Sequence, residues 1–364
     1  MKIEEINIYS MQLPLKKPFS TSLHTVEESE NIVLEVRDDD GYRGLGEAAP
    51  STAVTGDTAG SVQAFIEGYL KPLLLEEEIK GYAHASSLIQ NCATGNPGAR
   101  AAAEIAVFDL FARRQGLALY QLLGGYEEAV RTDMTVGVSS PEEMEQDARE
   151  AAEAGFSTLK LKVGKNIEED LRRVRTVRGA VDEDISIRLD ANQGYDRKEA
   201  VRFIEKLESE ELDIELIEQP VPAHDIKGLK YVTDHVLTPV MADESLFSPE
   251  DAIRLLREEA CDIFNIKLMK AGGLRPAVKI NDAAESAGIE CMLGCMLESR
   301  LAISAAAHLA AACRNITRLD LDAPLLLDED PVVGGVRYEG ELMKMPAEPG
   351  LGIDKIKNLE EADK

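Results

Sequence analysis

Two lysines and three acids in the middle of the chain have the types and spacing of a proton-transfer centre. Lys160 and Lys162 occupy alternate positions of the apolar run Thr158–Val163, so both side chains leave one face of a strand. In a barrel strand covered outside by helices, that face is the interior or the mouth, where an unpaired ammonium is costly. The bland alternative is the opposite register, with both lysines in water. Asp190 in Ile-Arg-Leu-Asp-Ala-Asn, Glu218 in Glu-Leu-Ile-Glu-Gln-Pro and Asp243 in Val-Met-Ala-Asp-Glu-Ser each close an apolar run, spaced like successive strand–helix units. Any one alone reads as a helix cap or a loop acid. Three on consecutive strands would converge on one mouth, and hard oxygen ligands without His or Cys nearby suit Mg2+ rather than zinc. Lys267, in Phe-Asn-Ile-Lys, closes the next run and faces Lys162 across that mouth, whereas Lys270 is expected to have left the strand.

The chemistry such a set supports is removal of a proton α to a carboxylate. That C–H is very weakly acidic, and an amine can take its proton only if the enediolate is stabilised, as a divalent cation on the carboxylate oxygens would do. The lysine must also be neutral. A neighbouring ammonium, the metal's charge and desolvation all lower a lysine pKa, which gives Lys160 a reason to stand beside Lys162.

The elements that must position these groups are legible as alternating short apolar and longer amphipathic runs, the pattern of repeated βα units. Strands are expected at Thr132–Val138, Thr158–Val163, Ile185–Asp190, Ile214–Glu218, Pro239–Asp243, Ile263–Lys267, Ile289–Leu293 and Ile316–Leu321. Helices are expected at Pro141–Ala154, Glu168–Val181, Arg197–Glu208, Pro249–Glu259, Pro276–Ala287 and Arg300–Ala312, several opened by Ser, Pro or Asp. The fold class is α/β, with a closed barrel at residues 129–327.

Residues 1–128 read as an α+β capping domain. Ile3–Leu13 and Asn31–Arg37 alternate apolar and polar residues, Asp39-Asp40-Gly41 marks a hairpin turn, and Ala99–Arg114 is helical. The tail 328–364 is too short for a domain and is expected to pack back onto the cap. Two polar segments, Lys17–Glu28 and Ala49–Thr58, are either surface loops or lids over the barrel mouth.

The 364 residues exceed the roughly 250 that a barrel alone requires, in keeping with a second domain. With 44% apolar and 29% charged residues the chain can bury a large core. Glu4 and Glu5 interrupt any signal-like run, and no segment approaches the roughly 20 apolar residues of a membrane span. A net charge of −27 argues against nucleic acid and anionic membranes as partners. Five cysteines, odd in number and without metal-ligand spacing, read as reduced thiols of a cytoplasmic protein. Assembly into a homo-oligomer is left open.

Lys160-x-Lys162, Asp190-x-Asn192, Glu218-Gln219-Pro220, Asp243-Glu244-Ser245 and Asn265-x-Lys267 followed by Gly272-Gly273 together resemble the muconate-lactonising subgroup of the enolase superfamily. The likeness spans nearly the whole chain and implies a modified TIM barrel of (β/α)7β form. It also implies Asp190, Glu218 and Asp243 as Mg2+ ligands, Asn192 beside them, Lys162 and Lys267 as the acid/base pair, and Lys160 as an electrostatic partner of the substrate carboxylate.

The subgroup houses several reactions on this machinery. The last strand reads Arg318-Leu319-Asp320-Leu321-Asp322, with both acids on one face. A similar Asp-x-Asp in dipeptide epimerases holds the substrate's α-ammonium, so the resemblance implies epimerisation of a dipeptide at the α-carbon of its C-terminal residue. Thr135, Cys295 and Leu297 are the further expected contacts. His24 stands where Ala-Glu epimerases carry an arginine, and a histidine cannot match a guanidinium fork, so an uncharged or hydrophobic second residue is expected. Were Asp320 and Asp322 to point away from the metal, an o-succinylbenzoate synthase or N-acylamino acid racemase would fit better. A non-catalytic scaffold would have no reason to keep both lysines beside three acids.

Overall fold

The computed structural model describes residues 1–21 and 25–362. Three antiparallel strands open the cap: β1 (Ile3–Ser20), β2 (Thr25–Asp38) and β3 (Arg43–Ala48). β1 and β2 form a long ribbon whose pairing reaches Ser20↔Thr25, so much of the expected loop Lys17–Glu28 is strand. Its polar composition concealed this, because neither face of the ribbon tip meets the core and no apolar alternation marks it. The turn at Asp39-Asp40-Gly41 forms as expected, with Gly41 at φ +83°.

Helix Pro97–Gln115 lies against β3 and is rich in alanine for a packing reason. A Cβ added at Gly44 or Gly46 would sit 2.0 or 1.9 Å from the carbonyl oxygens of Ala106 and Ala102. Strand and helix touch backbone to backbone, which only Gly facing Ala permits.

After β4 (Ala129–Arg131), the barrel strands are β5 (Met134–Val136), β6 (Thr158–Lys162), β7 (Ser186–Asp190), β8 (Ile214–Glu218), β9 (Val240–Ala242), β10 (Ile263–Lys267), β11 (Glu290–Gly294) and β12 (Ile316–Asp320). They pair in chain order, all parallel, as an eight-stranded sheet. The ends of that sheet meet where Leu321 N donates to Thr132 Oγ1 at 2.8 Å and Asp133 N to Leu319 O at 3.3 Å. Seven crossover helices link the strands, and β12 is followed only by the four-residue turn Ala323–Leu326, which gives the (β/α)7β form. The ends of the barrel elements fall within a helical turn of those expected, whereas β1 ends seven residues later and β2 begins six residues earlier than the alternation marks. Helix Ile226–Thr233 carries no clear signal in the sequence, being eight residues long with Gly228 inside it. No helix among the described residues is long and apolar enough to cross a membrane.

The tail supplies β13 (Val332–Gly334), β14 (Arg337–Glu339), β15 (Leu342–Lys344), β16 (Ile353–Ile356) and β17 (Glu360–Glu361). β15 pairs with β4 and β17 with β1, so the tail ties the start of the barrel to the cap's edge strand. One apolar core runs through both parts, joining Met11, Leu13, Val33 and Phe108 of the cap to the barrel residues.

A buried carboxylate also joins them. Glu47, at the end of β3, accepts hydrogen bonds from Ser299 N (2.9 Å), Ser299 Oγ (2.6 Å) and Ala302 N (2.9 Å), the open N-terminus of barrel helix Arg300–Ala310. Asn31 Nδ2 donates to Glu47 Oε1 at 2.7 Å and to Leu297 O at 2.9 Å. Burial pushes the Glu47 carboxyl up, and these donors pull against that shift. Glu47→Ala leaves several buried donors unmet and is expected to lower stability by about 2–4 kcal/mol. A urea midpoint equal to that of the wild type would mean that Glu47 is not the tie.

Candidate active site

Five neighbouring strands each bring one group to the mouth: Lys162 from β6, Asp190 from β7, Glu218 from β8, Asp243 just past β9, and Lys267 from β10. The register pairs Lys162 with Asp190 and Asp190 with Glu218, so the row is level, with a lysine at each end. Lys162 Nζ lies 2.6 Å from Asp190 Oδ2, and Lys267 Nζ lies 2.8 Å from Asp243 Oδ2. Lys160, two residues deeper on the same face of β6, sits 2.7 Å from Glu218 Oε2, 3.1 Å from Asp190 Oδ2 and 2.6 Å from Asp320 Oδ2. Asn265 Nδ2 donates to Glu218 Oε1 at 2.6 Å, and Asn192 bridges Asp190 and Glu244.

Burial lowers the pKa of Lys160, but Asp320, Glu218 and Asp190 outweigh it and raise the ammonium well above its ordinary value. Lys267 is raised too, its burial outweighed by Asp243. The Lys160 ammonium is engaged by three carboxylates, Asp190, Glu218 and Asp320, and Lys160 is not among the residues that line the cavity described below.

Six buried carboxylates (Asp190, Glu218, Asp243, Glu244, Asp320, Asp322) crowd this mouth against four buried ammonium groups (Lys160, Lys162, Lys267, Lys270). Burial and then Asp190 push Glu218 up to about 7, and burial and then Asp243 push Glu244 up to about 8. Asp190 is held down at about 2, because Lys162 and Lys160 overcome its burial. Glu244 Oε2 accepts no hydrogen bond, and neither does Glu218 Oε2 despite the nearby Lys160. A surplus of buried hard oxygens, some unused, fits a divalent cation of the Mg2+ class. Among the described residues, the acid triplet whose oxygens all lie within 4.8 Å of one another is Asp38-Asp39-Asp40 at the first hairpin turn, paired with Arg114. Asp190, Glu218 and Asp243 stand wider apart, each engaged by a lysine.

Above this floor lies a cavity of about 380 Å3, lined by Lys162, Lys267, Asn192, Glu244, Thr135, Cys295, Leu297, Asp320 and Asp322. The cap closes it with Phe19, Thr21 and Val26 from the β1–β2 ribbon and Pro50–Val54 from the second polar segment. Asp322 Oδ2 accepts from Thr135 N at 2.6 Å. His24 lies outside the described residues.

Two family descriptions match the chain. "Mandelate racemase / muconate lactonizing enzyme, N-terminal domain" covers residues 3–124, and "Enolase C-terminal domain-like" covers 143–357. The chain belongs to the enolase superfamily. An L-Ala-D/L-Glu epimerase of Clostridium acetobutylicum is 47% identical over 358 residues, covering 98% of this chain and all of that one. A substrate-liganded L-Ala-D/L-Glu epimerase from Bacillus subtilis superposes with a TM-score of 0.96 at 48% identity, covering 98% of this chain and 99% of the other. A dipeptide epimerase from Enterococcus faecalis, complexed with Mg and L-Leu-L-Tyr, superposes at 0.93 with 43% identity over 98% of this chain and all of that one.

In this enolase-superfamily site one buried charge went unread in the sequence. Lys270, on the short helix Leu268–Ala271, is fully buried and donates to the backbone oxygen and Oδ1 of Asp243. Burial lowers its pKa against the pull of Asp243. The available signal was its place three residues after Lys267, which one helical turn converts into a second cation on the same acid. Glu298, pushed up to about 8 by burial, was missed as well; it accepts from Met296 N at 2.8 Å and shapes the loop carrying Cys295 and Leu297. Lys270→Met should reduce turnover by about 10–100-fold through a misplaced Asp243. Unchanged kcat in the purified variant would show that Lys267 alone orients that carboxylate.

Proposed function

We propose that this chain epimerises dipeptides at the α-carbon of the C-terminal residue, by proton transfer between Lys162 and Lys267. The observation that carries the reading is the pair itself: two lysines at opposite ends of a level row of carboxylates, both opening onto one cavity. The epimerase names of the relatives, and the dipeptide in the Enterococcus structure, support it.

In this reading Asp190, Glu218 and Asp243 hold Mg2+, and Asn192 and Asn265 fix the carboxylates. When bound, the cation supplies positive charge that stabilises the enediolate form of the substrate's carboxylate. Asp320 and Asp322 accept the substrate's α-ammonium from the far wall. Lys160 ties Asp190 and Glu218 to Asp320 and so spaces the two halves of the site. In one direction Lys162 takes the proton from one face of the α-carbon and Lys267 donates a proton to the other; the return reaction exchanges the roles. Because Asp320 and Asp322 line the cavity, readings whose substrates lack an ammonium are disfavoured.

The second residue of the dipeptide is uncharged or hydrophobic in this proposal. Phe19, Val26, Val54, Leu297 and Leu326 line the cavity together with Glu28 and Glu30, and no arginine does among the described residues. A side-chain carboxylate would meet acids there and no guanidinium. The relatives named for Ala-Glu and the one holding L-Leu-L-Tyr differ by only a few points of identity, so the wall chemistry carries this choice. A reducing, cytoplasmic setting is part of the proposal, in line with five cysteines that form no disulfide.

Incubating L,L-dipeptide libraries in deuterium oxide is expected to add one deuterium per epimerised molecule, fastest with an apolar second residue. No incorporation would reject the activity, and incorporation confined to acidic second residues would reject the preference. Lys162→Ala and Lys267→Ala should each stop epimerisation while retaining exchange of one epimer, opposite in the two variants; exchange of both epimers by either variant would replace two bases with one.

Asp190→Asn, Glu218→Gln and Asp243→Asn should each abolish turnover with a native far-UV spectrum, and prolonged dialysis against chelator should abolish it in the wild type. Full activity in chelated buffer would remove the metal from the mechanism.

A further inference from the structure

A second cavity, of about 670 Å3, opens on the seam between cap and barrel. Its walls come from cap helices Tyr82–Asn91 and Pro97–Gln115 and from the first turns of barrel helices Pro249–Glu258 and Leu274–Ala287. Four basic side chains line it, Arg100, Lys270, Arg275 and Lys279, against one acid, Glu250. In a chain of net charge −27, whose surface is dominated by carboxylates, a cationic wall is the exception.

Lys270 is already committed to Asp243. The side chains of Arg100, Arg275 and Lys279 enter no ion pair among the described residues. Arg100 is half-buried beside Gly272, where an added Cβ would lie 3.7 Å from its Nε, and that Nε is buried without an acceptor. The acids nearest to it are engaged elsewhere. Asp57 Oδ2 accepts from Gly98 N, while Glu104 takes Ser86 Oγ and Gln90 Nε2 on one oxygen and Arg275 N on the other. Burial lowers the Arg100 pKa, and the charges of Asp57 and Glu104, which form no ion pair with it, offset that only in part.

A compact anion in the cavity would meet these donors together. Arg100 reaches it from the cap, and Arg275 and Lys279 from successive turns of one barrel helix. Cations arriving from separate directions match a tetrahedral group with oxygens on every side better than the planar edge of one carboxylate. We propose that the seam cavity binds a phosphate group, either free or as a small monoester, which bridges cap and barrel through Arg100, Arg275 and Lys279. This site is separate from the reaction cavity and does not rest on the dipeptide reading.

The test is isothermal titration of the full chain at constant ionic strength, with inorganic phosphate, glycerol phosphate and malonate in separate arms and chloride as the balancing salt. Saturable binding of phosphate or the ester is expected, and the tighter of the two identifies the source. Arg275→Gln and the exposed Lys279→Gln should each weaken it on the order of tenfold, the loss of one charge-assisted contact. Lys162→Ala should leave it unchanged, which separates the seam from the reaction cavity. Absence of saturable phosphate or ester binding, binding equal to wild type in both seam variants, or tighter binding of malonate would each overturn the proposal.

Discussion

Ten buried charges at one barrel mouth are the constraint on which the rest of the structure depends. Taking a single carboxylate or ammonium out of water costs several kcal/mol even after relaxation. Close opposite charges offset much of that cost for Asp190, Glu218, Asp243 and Asp320. Glu244 and Asp322, by contrast, form no ion pair among the described residues, and burial pushes their carboxyls up to about 8 and about 6. Strand order sets these pairs: Lys162 stands level with Asp190 and Asp190 with Glu218, while Lys160, level with Arg188, reaches Asp190 and Glu218 from two residues deeper on β6. Lys160 is central to the balance, because it touches Asp190, Glu218 and Asp320 and so couples β6 to β7, β8 and β12.

The same constraint explains why the cap is fused so firmly to the barrel. A mouth open to bulk water would screen these charges and weaken their control over one another. The β1–β2 ribbon and the Pro50–Val54 segment cover it, and two buried cap carboxylates anchor that cover. Glu47 holds the helix after β11, and Glu104 accepts from Arg275 N at 2.7 Å at the helix after β10. The Gly272-Gly273 pair makes the second anchor possible. Gly273 has φ +125°, and a Cβ there would lie 2.4 Å from Glu104 Oε2, so the turn that ends the Lys267–Lys270 segment must be side-chain-free where the cap presses on it. Burial raises Glu104 to about 6 despite its three donors.

Periodicity and local chemistry made the barrel readable in the residues alone. Strands β6 to β12 stand within a few residues of their apolar runs, and Ser140, Asp196 and Ser248 cap the helices they precede. The row Lys162, Asp190, Glu218, Asp243 and Lys267 was legible for the same reason. A parallel barrel places consecutive strand ends side by side, so order along the chain becomes order around the mouth.

What the chain could not disclose locally are pairings between distant segments. Glu47 and Ser299 are separated by 252 positions, Lys160 and Asp320 by 160, and nothing in either neighbourhood names its partner. The role of Lys160 as a hub of ion pairs and the second cation that Lys270 places on Asp243 both follow from which surfaces meet once the fold is complete. The amino-acid sequence determined the elements and the chemical types at the mouth, because periodicity and strand order act over a few residues. Tertiary packing alone decided the partner of each charge, because that depends on distances set by the whole fold.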